Sequence, residues 1–217
     1  MPRCEAYSLY AAAKPGKRND ADGRFGTGSG IVRELSLHIL DILQNSREAG
    51  ATLVRLTLDE NRTSDRLTIE VEDNGRGMTE ETLKRVRDPF YTTRTTRHVG
   101  LGLPLFAAAA ERCNGSLELD SSPGRGTRVT ATFQLNHLDR APMGDIVDTI
   151  MSFLMGEPPC DLVFVHRRDG GEFTLDTREV RRELGPVELS HPSVREWLTG
   201  YLAESEEGLE PSAAGNV

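Results

Sequence analysis

The chain has 217 residues but only three cysteines, Cys4, Cys113 and Cys160, odd in number and far apart. No two have the close spacing of a zinc or redox pair, so they read as isolated thiols in a reducing cytosol. Basic residues are not in excess either: 26 Lys and Arg stand against 34 Asp and Glu, for a formal net charge of -8. Nucleic-acid binders generally carry a basic face that displaces counterions from phosphates, and this balance speaks against that class. Long apolar runs are missing too. The longest weakly apolar stretch near the N-terminus, AYSLYAAA at 6–13, is too short to span a bilayer and lacks a signal-peptide core. There is no internal repeat and no low-complexity segment. Together these absences predict a cytoplasmic protein without nucleic-acid or membrane partners.

What is present is an ordinary globular composition, 37% hydrophobic and 28% charged. The length suits one main domain plus a smaller piece. Residues 1–30 include the polar, glycine-rich KPGKRNDADGRFGTGSG and read as a flexible leader. Within 31–135, Leu35, Ile39, Ile42 and Leu43 share one face of a helix over 33–49, with Glu34, His38, Asp41, Asn45 and Glu48 opposite and Gly50 as the stop. Period-two alternation predicts strands at 51–59, 66–73, 116–120 and 127–135. A threonine-capped helix is expected at 79–88, and another from Pro104 to about Cys113. Residues 136–203 read as a small α+β appendage of helix, β-hairpin and two further helices, and 204–217 as an acidic flexible tail.

Four short stretches carry chemistry. Asp41 and Asn45 are four apart, so they project from one side of a helix, as a base and a metal ligand would need to. DNGRGM at 73–78 puts an acid at a strand end, followed by spaced glycines that let a flat base approach the backbone. DPFYTTRTTRHVGLGLPL at 88–105 gathers four threonines, Arg94, Arg97 and His98 before a Gly-Leu-Gly turn. Hydroxyls, guanidinium groups and free amides at a helix start all donate hydrogen bonds to phosphate oxygens. SPGRGT at 122–127 is a glycine turn between two strands. Singly, each is also compatible with ordinary structure: a solvated helix face, an Asn-Gly turn, a loop-to-helix junction, a hairpin. His38 reads as a surface or packing histidine.

In this order and spacing the four resemble the boxes of the Bergerat-fold (GHKL) ATP-binding domains, shared by sensor histidine kinases, anti-sigma-factor serine kinases, DNA gyrase, heat-shock chaperones and mismatch-repair ATPases. The helix with Asp41 and Asn45 is similar to the N box, Asp73 to Gly77 to the G1 box, Phe90 and the following threonines to the F box, Gly100 to Gly102 to the G2 box, and Gly124 to Thr127 to the last glycine box. NSREAGAT at 45–52 resembles the mismatch-repair group, whereas PFYTTR, GLGLPL and SSPGRGTRVTATF resemble histidine kinases. The resemblance covers residues 33 to 135. It implies an α+β fold: a two-layer α/β sandwich whose mixed sheet is covered by helices on one face.

The resemblance also implies roles. Asp73 accepts from the exocyclic amine of adenine, Gly75, Gly77 and Met78 shape the pocket, and Thr127 helps through water. Asn45 holds Mg²⁺. Phe90, Thr92, Thr93, Arg94 and Arg97, with Gly100, Leu101, Gly102 and Leu103, form a phosphate lid and anion-binding helix start. Asp41 stands where hydrolysing relatives carry a glutamate that activates the attacking oxygen. It is one methylene shorter, and a displacement of about 1 Å can cost on the order of 100-fold in rate. A sensor kinase also needs a helical hairpin bearing its phosphoacceptor histidine, which the short leader is not expected to supply. Two functions follow: an Mg-ATP-dependent phosphotransferase or slow ATPase acting with a protein partner or phosphoacceptor, or a non-catalytic module whose lid is ordered by ATP. A homodimer is left open.

Overall fold

The computed structural model describes residues 34–86 and 102–209. The apolar stripe of Leu35, Ile39, Ile42 and Leu43 is buried on α1 (Leu35–Glu48), which ends at Gly50 in a left-handed conformation. β1 (Leu53–Asn61) and β2 (Arg66–Asp73) pair as an antiparallel hairpin. The Thr79 hydroxyl accepts from the backbone N–H of Thr82 and so caps α2 (Glu80–Val86). α3 (Gly102–Arg112) starts two residues before Pro104, which still lies in the first turn, where its missing N–H breaks no helical bond. β3 (Ser116–Ser122) and β4 (Gly126–Gln134) form the next hairpin. Then come α4 (Ile146–Leu154), β5 (Asp161–Arg168), β6 (Gly171–Asp176), α5 (Thr177–Leu184) and α6 (Pro192–Gly208).

All the strands belong to one sheet of six, in the order β3-β4-β2-β1-β5-β6. The segment past Asn136 therefore extends the sheet of the preceding residues, with β5 parallel to β1 and β6 antiparallel to β5. The register lines up apolar side chains in rows across every strand. One row runs Leu119, Val129, Val71, Leu56, Phe164, Leu175, and all are buried. Burying each such side chain contributes about 1.5–3 kcal/mol. α1 and α3 cover this face, with Phe106 of α3 packing 5.7 Å from Phe133 of β4. α4 and α6 complete the layer through Ile150, Phe153, Leu198 and Leu202. Parity puts Asp161, Val163 and Val165 on the opposite face of β5, where Arg181 of α5 reaches Asp161. Among the described residues no helix is long and apolar enough to cross a membrane.

One position differs from its periodicity. His38, expected on the polar side of α1, is only 4% exposed and stacks on Phe106 with ring centroids 5.1 Å apart. α3 packs beside the apolar stripe of α1 and widens the buried face by one column. His38 is a packing residue.

The apolar rows end in polar groups at both edges of the layer. At one edge, the row after Leu119–Val129–Val71 reads Ser121, Thr127, Asp73. At the other lie Glu60, His166 and Arg168, met by Glu206 of α6. Cys113 and Cys160 are buried free thiols, and burial raises both, Cys160 to about 11. Neither is a thiolate at neutral pH.

Candidate functional site

Asp73 is the last residue of β2 and is 7% exposed. Its Oδ1 accepts from the backbone N–H of Gly75 at 2.8 Å, and its Oδ2 lies 2.9 Å from Ser46 Oγ on α1. A carboxylate has about four acceptor positions, so capacity remains for another donor. Thr127 stands opposite Asp73 in the register of β2 and β4. Ser121 Oγ donates to the carbonyl of Gly126 at 2.8 Å and accepts from Met78 N–H at 2.9 Å. Its only proton is thus committed, so in the 3.0 Å contact between the two hydroxyls Thr127 is the donor. The lone pairs of Thr127 are left to accept from a neighbour.

The DNGRGM loop is held on all sides. Asn74 Oδ1 accepts from the backbone of Thr52 and Leu53, Arg76 N–H donates to the carbonyl of Ala49, and Gly124 N–H donates to that of Arg76. Two glycines make the close approach possible. A Cβ on Gly77 would overlap the carbonyl of Ser122, and one on Gly126 would overlap that of Asp73. Both have left-handed φ, +66° and +81°. The first and last glycine boxes are therefore in direct backbone contact and form one wall.

The other end of the site is organised by the same helix. Gly102, the first residue of α3, stands against Asp41, and a side chain added there would lie 3.5 Å from Asp41 Oδ2. Asn45 is exposed one turn further along α1, and its neighbour Ser46 faces Asp73. One helix thus touches both the acid at the strand end and the start of α3. A helix start offers unpaired amides and a positive dipole end to an anion. Leu103 is half-buried behind Gly102.

Of the residues singled out from the sequence, Asp73, Gly75, Gly77, Met78 and Thr127 are together at one end, while Asp41 and Gly102 meet at the other with Asn45 between. Phe90, Thr92, Thr93, Arg94, Arg97, Gly100 and Leu101 lie outside the described residues. Sequence reasoning missed Ser46 and Ser121, which hold the carboxylate and the Thr127 hydroxyl. Each had a faint signal. Ser46 continues the apolar column of Ile42 one turn later, and Ser121 continues the inward alternation of Leu117 and Leu119.

Comparison with known proteins shows the family. A family model described as histidine kinase-, DNA gyrase B- and HSP90-like ATPase matches residues 16–137. Sensor protein kinase FleS of Pseudomonas aeruginosa is 40% identical over 108 residues, which is 50% of this chain and 26% of that kinase. Sporulation kinase C of Bacillus subtilis is 31% identical over 99 residues, 46% of this chain and 23% of the relative. A putative sensor protein of Shewanella frigidimarina is 29% identical over 113 residues, 51% and 17% respectively. The chain thus spans about a quarter or less of these relatives' length. With more than half of its residues inside the family model, this chain belongs to the histidine kinase-, DNA gyrase B- and HSP90-like ATPases, an ATP-binding family.

Proposed function

We propose that the chain binds Mg-ATP in this site and transfers the γ-phosphoryl group to a protein partner or to water. The observation that carries the reading is the buried Asp73 carboxylate, held by Ser46 and Gly75 with acceptor capacity to spare, beside the wall formed by Gly77 and Gly126. That combination suits a flat base with an exocyclic amine: Asp73 accepts from the amine, Thr127 is met through water, and Gly75, Gly77 and Met78 line the ring. The triphosphate then runs along α1 toward the start of α3, where the amides of Gly100, Leu101 and Gly102, next to Leu103, receive it. Phe90, Thr92, Thr93, Arg94 and Arg97 act as the lid over it.

The metal fits the residues present. Asn45 offers a hard oxygen from an exposed position, and among the described residues no cluster of three His, Cys, Asp or Glu could hold a metal ion without help. Magnesium is usually bound by one or two protein groups together with substrate phosphates and water. When bound, it neutralises charge on the phosphate chain. Asp41 takes the proton from the attacking hydroxyl, imidazole or water as the γ-phosphoryl group moves and ADP leaves. We place the protein in the cytoplasm, a reading supported by the two buried free thiols. A protein carrying the phosphoacceptor is one candidate partner, and a second copy of the chain is another.

The shorter acid at position 41 favours a second reading, in which ATP binds and orders the lid while turnover is absent. Calorimetry with Mg-ATP and incubation with γ-labelled ATP and a cell lysate separate the two. Phosphotransfer predicts heat of binding plus free phosphate or a labelled protein, whereas the binding module predicts heat alone. Asp73→Asn should weaken nucleotide binding at least about tenfold, the scale of one charge-assisted hydrogen bond. Unchanged affinity in that variant would remove the adenine assignment.

A further inference from the structure

The outer face of α6 lies beyond residues 16–137 and takes no part in the nucleotide site. Its inner face is anchored by Val194, Leu198 and Leu202, with Glu206 reaching His166. Turned the other way are Glu196, Trp197, Gly200, Tyr201 and Glu204, at helical spacing along one outward-facing stripe. Trp197 is 52% exposed and Tyr201 38%. Their rings stack at 5.4 Å with planes 10° apart, and Tyr201 is braced edge-on by Phe173 at 5.6 Å. A Cβ on Gly200 would meet nothing within 4 Å, so the floor between the rings and the two carboxylates is clear.

Large exposed aromatics held rigid against a core are what binding surfaces use. The charge on the face says what would cover it. Glu196 and Glu204 flank the ring pair one helical turn either side of Gly200 and make no ion pair among the described residues, so the stripe is anionic at both ends. Arginine meets both requirements. Its guanidinium lies flat on an aromatic face and donates in a fork to a carboxylate. A second copy of the helix does not. In an antiparallel pair centred on Gly200, Glu196 of one copy would face Glu204 of the other, and in a parallel pair each Glu would face itself.

We propose that this face of α6 is a docking surface for a basic segment of a partner protein, with an arginine on the Trp197–Tyr201 stack and neighbouring cations on Glu196 and Glu204. The surface is independent of the nucleotide, so it is tested without any. Trp197 is the chain's one tryptophan, which makes its fluorescence a local probe. The full chain is titrated with a labelled synthetic peptide of alternating arginine and serine, following anisotropy and Trp197 emission together. Binding should change the emission. Trp197→Ala and the double variant Glu196→Gln/Glu204→Gln should each weaken binding about tenfold, and for the double variant the loss grows as salt is lowered. The double variant Glu179→Gln/Glu183→Gln on α5 removes equal charge elsewhere and should leave affinity unchanged. An equal loss in that control would mean bulk attraction to an acidic protein and would overturn the proposal. So would binding with no change in emission, no binding at all, or a dimer in sedimentation that Trp197→Ala dissolves.

Discussion

The charged cluster at the far edge of the sheet makes stability depend on pH in a direction that can be worked out. Glu60 of β1 is bridged by Arg168, at 3.0 and 3.1 Å, and its Oε1 lies 3.4 Å from Nε2 of His166. The other ring nitrogen of His166, Nδ1, is 2.9 Å from both oxygens of Glu206. Burial pushes the Glu60 carboxyl up, but bonding to His166 and Arg168 and their charges more than offset this and hold it at about 2. A glutamate at about 2 folded and 4.5 unfolded favours the folded state by about 3 kcal/mol at neutral pH. The side chain is 15% exposed, so that figure is an upper value. The pKa is depressed, so the contribution is present above pH 4.5 and is lost as pH falls toward 2. About 2 kcal/mol of it should be gone by pH 3. Urea unfolding of the wild type and Glu60→Gln, followed by circular dichroism, gives the test. The stability gap between them should narrow by about 2 kcal/mol between pH 7 and pH 3. A gap that stays constant over that range would refute the assignment of Glu60 to a buried ionic cluster.

Other perturbations follow from the same geometry. Burial lowers the His166 imidazolium, but Glu206 and Glu60 outweigh this and raise its pKa above 6.5. Its contribution is complete below pH 6.5 and lost as pH climbs through the raised value, so wild-type stability in urea should decline on the alkaline side and His166→Asn should flatten that decline. Gly126→Ala should destabilise by at least about 2 kcal/mol, combining the left-handed backbone penalty with overlap on the Asp73 carbonyl. Gly124→Ala, with φ +74° but open space around it, should show the backbone penalty alone, and equal urea midpoints for the two variants would contradict the interlocked wall. Asp41→Asn should abolish phosphate release in the labelled-ATP assay while sparing the affinity measured by calorimetry. A matching loss of both would mean that Asp41 binds and does not act as a base.

The local elements were legible because their causes are local. The period of Leu35, Ile39, Ile42 and Leu43 can be satisfied only by a helix with one apolar side, and the alternation in RLTIEVED only by a strand with one buried face. The Asp41–Asn45 spacing, the acid before Gly75 and the glycines before Thr127 were likewise readable, since helix spacing puts the first two on one side and the left-handed backbone at Gly124 and Gly126 favours glycine.

What no stretch of sequence could say is which elements are neighbours. The parallel pairing of β5 with β1 is made by backbone groups that every residue carries, and it joins Leu53 to Asp161 across more than a hundred residues. That pairing brings His166 to Glu60, and the packing of α6 then brings Glu206 to His166. Ser46 and Ser121 look like any serine until α1 and β3 converge on Asp73 and Thr127. His38 changed sides because burial belongs to the partner as much as to the helix. The chain alone therefore determined the segments and the chemistry each could offer, through torsional preference and periodicity. Only tertiary packing decided which of those groups share a site, because proximity between distant residues is set by the register of sheets and the fit of helix faces.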